Sequence, residues 1–204
     1  MRAILMVAMA AAMAAQAGAA WAQERLVLAP YPGPPAWRRI TDKSGPQGYI
    51  HEQIPIGQSE DGFTDILTDQ AFRNLAGADP GAFLQRIMVG MPNACEGVRV
   101  NGPTLRIEDG RRVAYGQIFC GAQRGQSFGV DLFYKVIGGA EALYSVSREF
   151  RVPPSPNGGE LAFPRDQAAR AMALVKAQGV ANDYLVHQVY LCGPHAGDAR
   201  CAGH

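Results

Sequence analysis

This chain has almost no net charge of either sign. Its 204 residues carry 19 Lys+Arg against 18 Asp+Glu, whereas a nucleic-acid binder would show a basic excess. No nucleic-acid partner is expected. A second long apolar segment is missing too, so nothing spans a membrane once the first 22 residues are removed. There is no internal repeat and no low-complexity tract beyond that leader. The Cys-x-x-Cys-His motif of covalent haem attachment does not occur, nor does an Asp-x-Asp-x-Asp-Gly calcium loop. No Gly-x-Ser-x-Gly nucleophile elbow is expected. No catalytic signature stands out, and no specific reaction is read from the residues.

What is present begins with residues 1–22, which have the build of a secretory signal peptide. Arg2 supplies one positive charge, an apolar run covers residues 3–15, and small residues lead to Ala20-Trp21-Ala22. The run is shorter than the roughly 20 apolar residues that a membrane span needs. Cleavage after Ala22 leaves Gln23 first, and Ala17-Gly18-Ala19 is an alternative site. No cysteine follows the run and no twin arginine precedes it, which points to the general export route without lipidation. The expected address is periplasmic or secreted, where cysteines pair. Taking the 22 leader residues from 204 leaves 182, a one-domain size. Arg2 is the only charge lost, so the mature chain has 18 charges of each sign.

The order along the chain is a Pro-rich lead-in over residues 23–36, one α+β domain over residues 37–191, and a Cys/His tail over residues 192–204. In the lead-in, Pro30-Tyr31-Pro32-Gly33-Pro34-Pro35 excludes helix and central strand, because proline lacks the donor and fixes φ. Short strands are expected at residues 37–41 and 49–56, separated by the Gly45-Pro46 turn. Residues 63–75 are open between two patterns. Phe63, Ile66, Leu67 and Leu75 suit a helix, while Thr64, Ile66, Thr68, Gln70 and Phe72 line one face of a strand. Asp79-Pro80 predicts a helix start, with Asp79 as N-cap and Pro80 at the first helical position. That helix runs to about Val89, with Phe83, Leu84, Ile87 and Met88 as its stripe.

Strands follow at residues 98–100 and 104–107, and Asp109-Gly110 marks a two-residue hairpin turn into residues 112–120. Phe128, Val130, Leu132, Tyr134 and Val136 alternate on one face of a strand. Gly138-Gly139 turns the chain, and Tyr144, Val146, Arg148 and Phe150 alternate on the next. Residues 153–159 form a linker. Pro164 opens a helix with Ala168, Met172 and Val175 inward, Gly179 ends it, and a second piece covers residues 181–191. Hairpin-joined strands with helices set apart from strict β-α alternation predict an α+β fold with an antiparallel sheet of about six strands and helices packed against it.

Pro55-Ile56-Gly57-Gln58-Ser59, followed by Phe63-Thr64-Asp65-Ile66-Leu67-Thr68-Asp69-Gln70-Ala71-Phe72, resembles a signature of uncharacterised secreted bacterial α+β proteins. In these a Pro-x-Gly-Gln-Ser turn precedes an aromatic-Thr-x-x-Leu-Thr-x-Gln-x-Phe run. A Cys pair and an Ala/Gly-Leu-Tyr element follow, the latter here Ala142-Leu143-Tyr144. The resemblance covers residues 37–151, with Phe63 standing where tryptophan is expected. It implies a strand at residues 63–72 and brings no activity with it.

Four cysteines allow three pairings. The local one, Cys95 with Cys120 and Cys192 with Cys201, keeps each bond within one contiguous segment. Closing a loop of ~25 residues stabilises by roughly 3 kcal/mol on the chain-entropy model. The tail also reads Cys-x-x-His twice, as Cys192-Gly193-Pro194-His195 and Cys201-Ala202-Gly203-His204. Two thiolates and two imidazoles would make a tetrahedral set for zinc or copper, which is the alternative to the disulfide. His51 is the only histidine before the last 18 residues. On a strand its neighbour Glu52 points to the opposite face, so the two form no acid–base pair. A satisfied strand histidine is the plain expectation, and a hydrolase of unfamiliar type using His51 is the sharper one.

Asp61, Asp65 and Asp69 read as a solvated face, Gly121–Gly125 as a hairpin turn, and Arg38-Arg39 and Arg111-Arg112 as pairs with one member in solvent binding nothing in particular. Tyr115, Phe119, Phe133, Tyr134, Tyr144 and Phe150 could floor a cleft, but are expected as core or cross-strand pairs. The sequence therefore points to an exported, non-catalytic binding or envelope-associated module for a small ligand or an envelope protein, with metal binding by the tail as the alternative.

Overall fold

The computed structural model describes residues 23–32, 36–155, 163, 165–193 and 199–201, and among these alternating apolar residues build nine strands. The expected leader (1–22), most of the expected linker, Pro164, His195 and His204 lie outside the described residues. In chain order the elements are β1 (Arg25–Leu28), β2 (Trp37–Gly45), β3 (Gly48–Pro55), β4 (Asp65–Phe72), α1 (Pro80–Gly90), β5 (Cys95–Glu108), β6 (Arg111–Gln123), β7 (Gly129–Gly138), β8 (Leu143–Val152), α2 (Ala168–His187) and β9 (Val189–Cys192). Seven strands form one sheet in the order β2-β3-β4-β8-β7-β6-β5, and β1 pairs with β9 in a second, two-stranded sheet. Every pairing is antiparallel. The α+β class holds, and the sheet is larger than six strands.

Two turns show why the local chemistry gives hairpins. Asp109 and Gly110 both take positive φ, 49° and 75°, between β5 and β6, as a two-residue turn matched to strand twist requires. Gly48 (φ 141°) opens β3, and a Cβ there would collide with the Ala71 carbonyl of β4, so only glycine lets the strands close up.

The sheet buries both faces. On one, Leu84 and Met88 of α1 pack on Ala114, Ile118, Val130, Leu132, Val136 and Leu143. Asp79 caps α1 by accepting from Ala82 N at 2.6 Å, and Phe83 and Ile87 pack at the margin of this core as expected. On the other face, Tyr184 and Leu185 of α2 and Val189 and Leu191 of β9 meet Leu67, Val113, Ile137, Tyr144 and Val146. The Cys95–Cys120 bond ties β5 to β6, and Cys192–Cys201 ties β9 to the segment that follows it.

Several expectations are corrected. The two short strands at 98–100 and 104–107 are one strand, β5, whose register shifts between Asn101 and Thr104; Gly102-Pro103 is tolerated because β5 is an edge strand. Gly179 does not end a helix. It lies inside the 20-residue α2, because an interior glycine costs only about 1 kcal/mol against alanine. The burial of Ala181, Tyr184 and Leu185 beyond it outweighs that cost. Met172 and Val175, expected inward, are 74% and 66% exposed, since α2 touches the sheet mainly through its C-terminal half. Within the lead-in, Arg25-Leu26-Val27-Leu28 form β1 against residues 189–192, a partner far away in sequence.

Candidate functional site

Beneath β1, on the α2 side of the sheet, strands β3 and β4 are left partly uncovered. Two hollows lie there. One, of about 480 Å³, is lined by Arg25, Leu26, Tyr49, His51, Asp69, Arg73, Glu141 and Tyr144 among others. The second, of about 620 Å³, is lined by Leu28, Ala29, Pro30, Tyr31, Ala36, Trp37, Gln53, Leu67 and Tyr184. Leu28 and Gln53 line both, so the two hollows lie side by side along β1 and together make the groove.

Register explains the polar end. His51 stands opposite Asp69 on β4 and Asp42 on β2. Its Nδ1 is 2.9 Å from Asp69 Oδ2 and its Nε2 is 3.3 Å from Asp42 Oδ1. Arg39 donates to Asp42 at 2.6 Å, and Tyr49 stacks on the His51 ring at 4.5 Å. Burial pushes the Asp69 carboxyl above its usual range, opposed by the hydrogen bond from His51. The Arg39 guanidinium, with smaller help from His51, holds Asp42 below its usual range. Burial raises Tyr49 well above an ordinary phenol, with Asp69 adding to it. Tyr144 is pushed up to about 12, by burial first and then by Glu24 and Glu141.

The imidazole–carboxylate contact resembles half of a catalytic triad, but the nitrogen that would activate a nucleophile faces Asp42 instead. One expected absence is corrected on the letters alone: Gly125-Gln126-Ser127-Phe128-Gly129 does spell Gly-x-Ser-x-Gly. It joins β6 to β7 through a turn closed by Gln126 N to Gln123 O at 3.0 Å. A strand, not the helix of a nucleophile elbow, follows it.

Below the apolar end, Arg148 is 1% exposed. Its guanidinium lies 4.2 Å from the Trp37 ring centroid, 4.3 Å from Tyr31 and 5.1 Å from Phe150, and Nη2 donates to Asp65 Oδ2 at 2.9 Å. Burial pushes Asp65 up while Arg148 opposes the rise; Arg148 stays protonated. Its Nε and Nη1, Trp37 Nε1 and Asp65 Oδ1 are buried without a hydrogen-bond partner among the described residues. At the other margin Glu24 anchors β1. Its carboxylate accepts from Ala140 N, Glu141 N and Arg111 Nη1 at 2.9, 2.9 and 2.6 Å. Burial alone would raise Glu24, but these donors hold it below the usual range.

Elsewhere on the same face, Lys135 donates to Glu108 and to the Val189 carbonyl. Asp131 accepts from Gln117 and Gln178. Both contacts pin α2 and β9 to the sheet.

Of the residues singled out in the sequence, the structure gathers His51 and Asp69 at the groove and places Asp65 under Arg148. Asp65 is thus ion-paired to Arg148 and Asp69 hydrogen-bonded to His51 inside the fold, rather than forming a solvated face. The arginine pairs also find partners: Arg38 on the Gln58 carbonyl, Arg39 on Asp42, Arg111 on Glu24 and Arg112 on Asp79. Cys192 and Cys201 are joined to each other, and no group of three metal-ligating side chains occurs among the described residues. Nothing in the local sequence marks Glu24, Tyr31 or Trp37 as site residues. For Arg148 the signal is in plain view, a charge placed in the inward alternation of β8.

No family model matches this chain, and no curated protein matches it. A crystal structure of LpqN, described as involved in cell envelope biogenesis of Mycobacterium tuberculosis, is 14% identical, covers 85% of this chain and 86% of that one, and superposes with a TM-score of 0.39. That likeness is too low to carry an argument. The fold and the site define a disulfide-stapled α+β protein with an open groove on one sheet face.

Proposed function

We propose that this protein is an exported, non-catalytic binding module that holds a small ligand in the groove beneath β1. The supporting observation is a set of polar groups left unused at the groove. The Tyr49 and Tyr144 hydroxyls, the Gln53 amide and the Arg25 guanidinium line it, and none makes a hydrogen bond to a described residue. Groups of this kind, convergent on a concave surface, are what orient a bound molecule. Two disulfides support an oxidising, extracytoplasmic address, and we assign the periplasm. His51, with a carboxylate on each ring nitrogen, acts as a positioning residue for the floor.

Native mass spectrometry of protein recovered from a periplasmic extract tests this reading, with a pulldown from the same extract to detect an envelope partner. A retained small molecule is expected. Bare protein with no partner captured would contradict it.

A further inference from the structure

The two ends of the groove differ in chemistry, and the difference selects a ligand. At the polar end most of the charged side chains are already engaged with one another. Arg39 neutralises Asp42, His51 faces Asp69, and Arg111 holds Glu24. Arg25 and Arg73 remain at the rim, both exposed. Neither has a carboxylate partner among the described residues, and Arg73 makes only a 3.4 Å contact to the Gly45 carbonyl. Glu141 is the exposed carboxylate opposing them, and the buried Asp69 is hydrogen-bonded to His51 on the floor. The rim therefore favours an anion. Past Leu28 the lining turns apolar, with Tyr31, Trp37, Leu67 and Tyr184, and Gln53 is the only polar side-chain amide there. A volume of about 620 Å³ is in the range of ligand cavities.

We infer that the groove takes a single-chain anionic amphiphile, its head at Arg25 and Arg73 and its apolar chain laid past Leu28 to Trp37. This rests on the binding-module reading and names the class of its ligand.

Trp37 lines the chain end and is the one tryptophan left after Trp21 goes with the leader, so its emission reports occupancy. Dodecanoate, kept below its micelle concentration, is titrated into the exported protein. A saturable change in emission is expected. Octanoate, four methylenes shorter, should bind on the order of a hundredfold more weakly if each buried methylene counts. Dodecyltrimethylammonium, with the opposite charge, should bind at least tenfold more weakly than dodecanoate. Arg25→Ala/Arg73→Ala, which alters only exposed side chains, should weaken dodecanoate at least tenfold. Lauroyl lysophosphatidylglycerol run in parallel separates the sources: tighter binding than dodecanoate assigns a phosphate head, weaker binding a carboxylate.

No saturable change with either anion, equal binding of the cation, or an unaffected double arginine variant would each overturn the inference. If native mass spectrometry then finds a neutral polar ligand, the binding module stands and the amphiphile falls. If it finds nothing, both fall.

Discussion

Removing Arg148 should cost several kcal/mol of stability. The side chain is 1% exposed and its one ion-pair partner, Asp65, is itself largely shielded at 15%. Deleting one member of a buried pair leaves the other charge uncompensated, which costs about 3–5 kcal/mol. Loss of the three ring contacts at 4.2, 4.3 and 5.1 Å adds to this, at about 0.5–2 kcal/mol for each well-placed contact. Opposing it, the substitution also removes two buried nitrogens that lack partners, and each such group costs about 1–3 kcal/mol to keep desolvated. These last two contributions are of similar size, so Arg148→Ala is expected to lose about 3–5 kcal/mol.

The assay is urea unfolding with disulfides intact, followed by Trp37 emission and far-UV circular dichroism. Arg148→Met/Asp65→Leu removes both charges while keeping apolar volume, and should recover to within about 1 kcal/mol of the parent, as paired replacement often does. A loss under about 1 kcal/mol for Arg148→Ala would refute the reasoning, since a buried pair broken on one side costs several times that. A double variant as unstable as the single would show that the rings, not the ion pair, carry the effect.

Two further substitutions probe the frame of the groove. Glu24 has a folded-state pKa below its ordinary 4.5, so its contribution to stability is present above that value and lost as pH falls through the lower folded one. The stability gap between the parent and Glu24→Gln should therefore shrink as urea midpoints are measured downward from about pH 5.5; a gap that widens would contradict the donor geometry at Ala140, Glu141 and Arg111. Gly179 sits within α2 with open space where an alanine methyl would stand, so Gly179→Ala should stabilise by about 0.4–1 kcal/mol and raise Tm in a calorimetric scan, whereas a lower Tm would mean that the helix needs the glycine.

Local chemistry is legible wherever the residues that decide it are neighbours. Asp79-Pro80 announces α1, Asp109-Gly110 announces the β5–β6 turn, and the alternation in β7 and β8 marks the central strands. The two disulfides follow from segment proximity and the expected compartment. Residues 63–75 carry both helical and strand periods, and tertiary pairing on both sides, with β3 and β8, decides for strand. What is illegible depends on partners far apart in the chain. β1 is a strand only because β9 lies beside it, and Gly179 stays helical only because Tyr184 and Leu185 are anchored. The groove inherits that difficulty, since its lining comes from β1, the lead-in, β2, β3, β4, β8 and α2. His51 is visible as a lone histidine. Asp69 becomes its partner only once the β3–β4 register is set.

Ligand binding in the groove beneath β1 is the central claim, and amide chemical-shift mapping tests it most directly. The protein is titrated with the low-mass fraction of a periplasmic extract. Perturbations should gather at Leu26, Leu28, Tyr49, His51 and Gln53. Shifts confined to α1, on the opposite face of the sheet, and to the far edge strand β5 would contradict it.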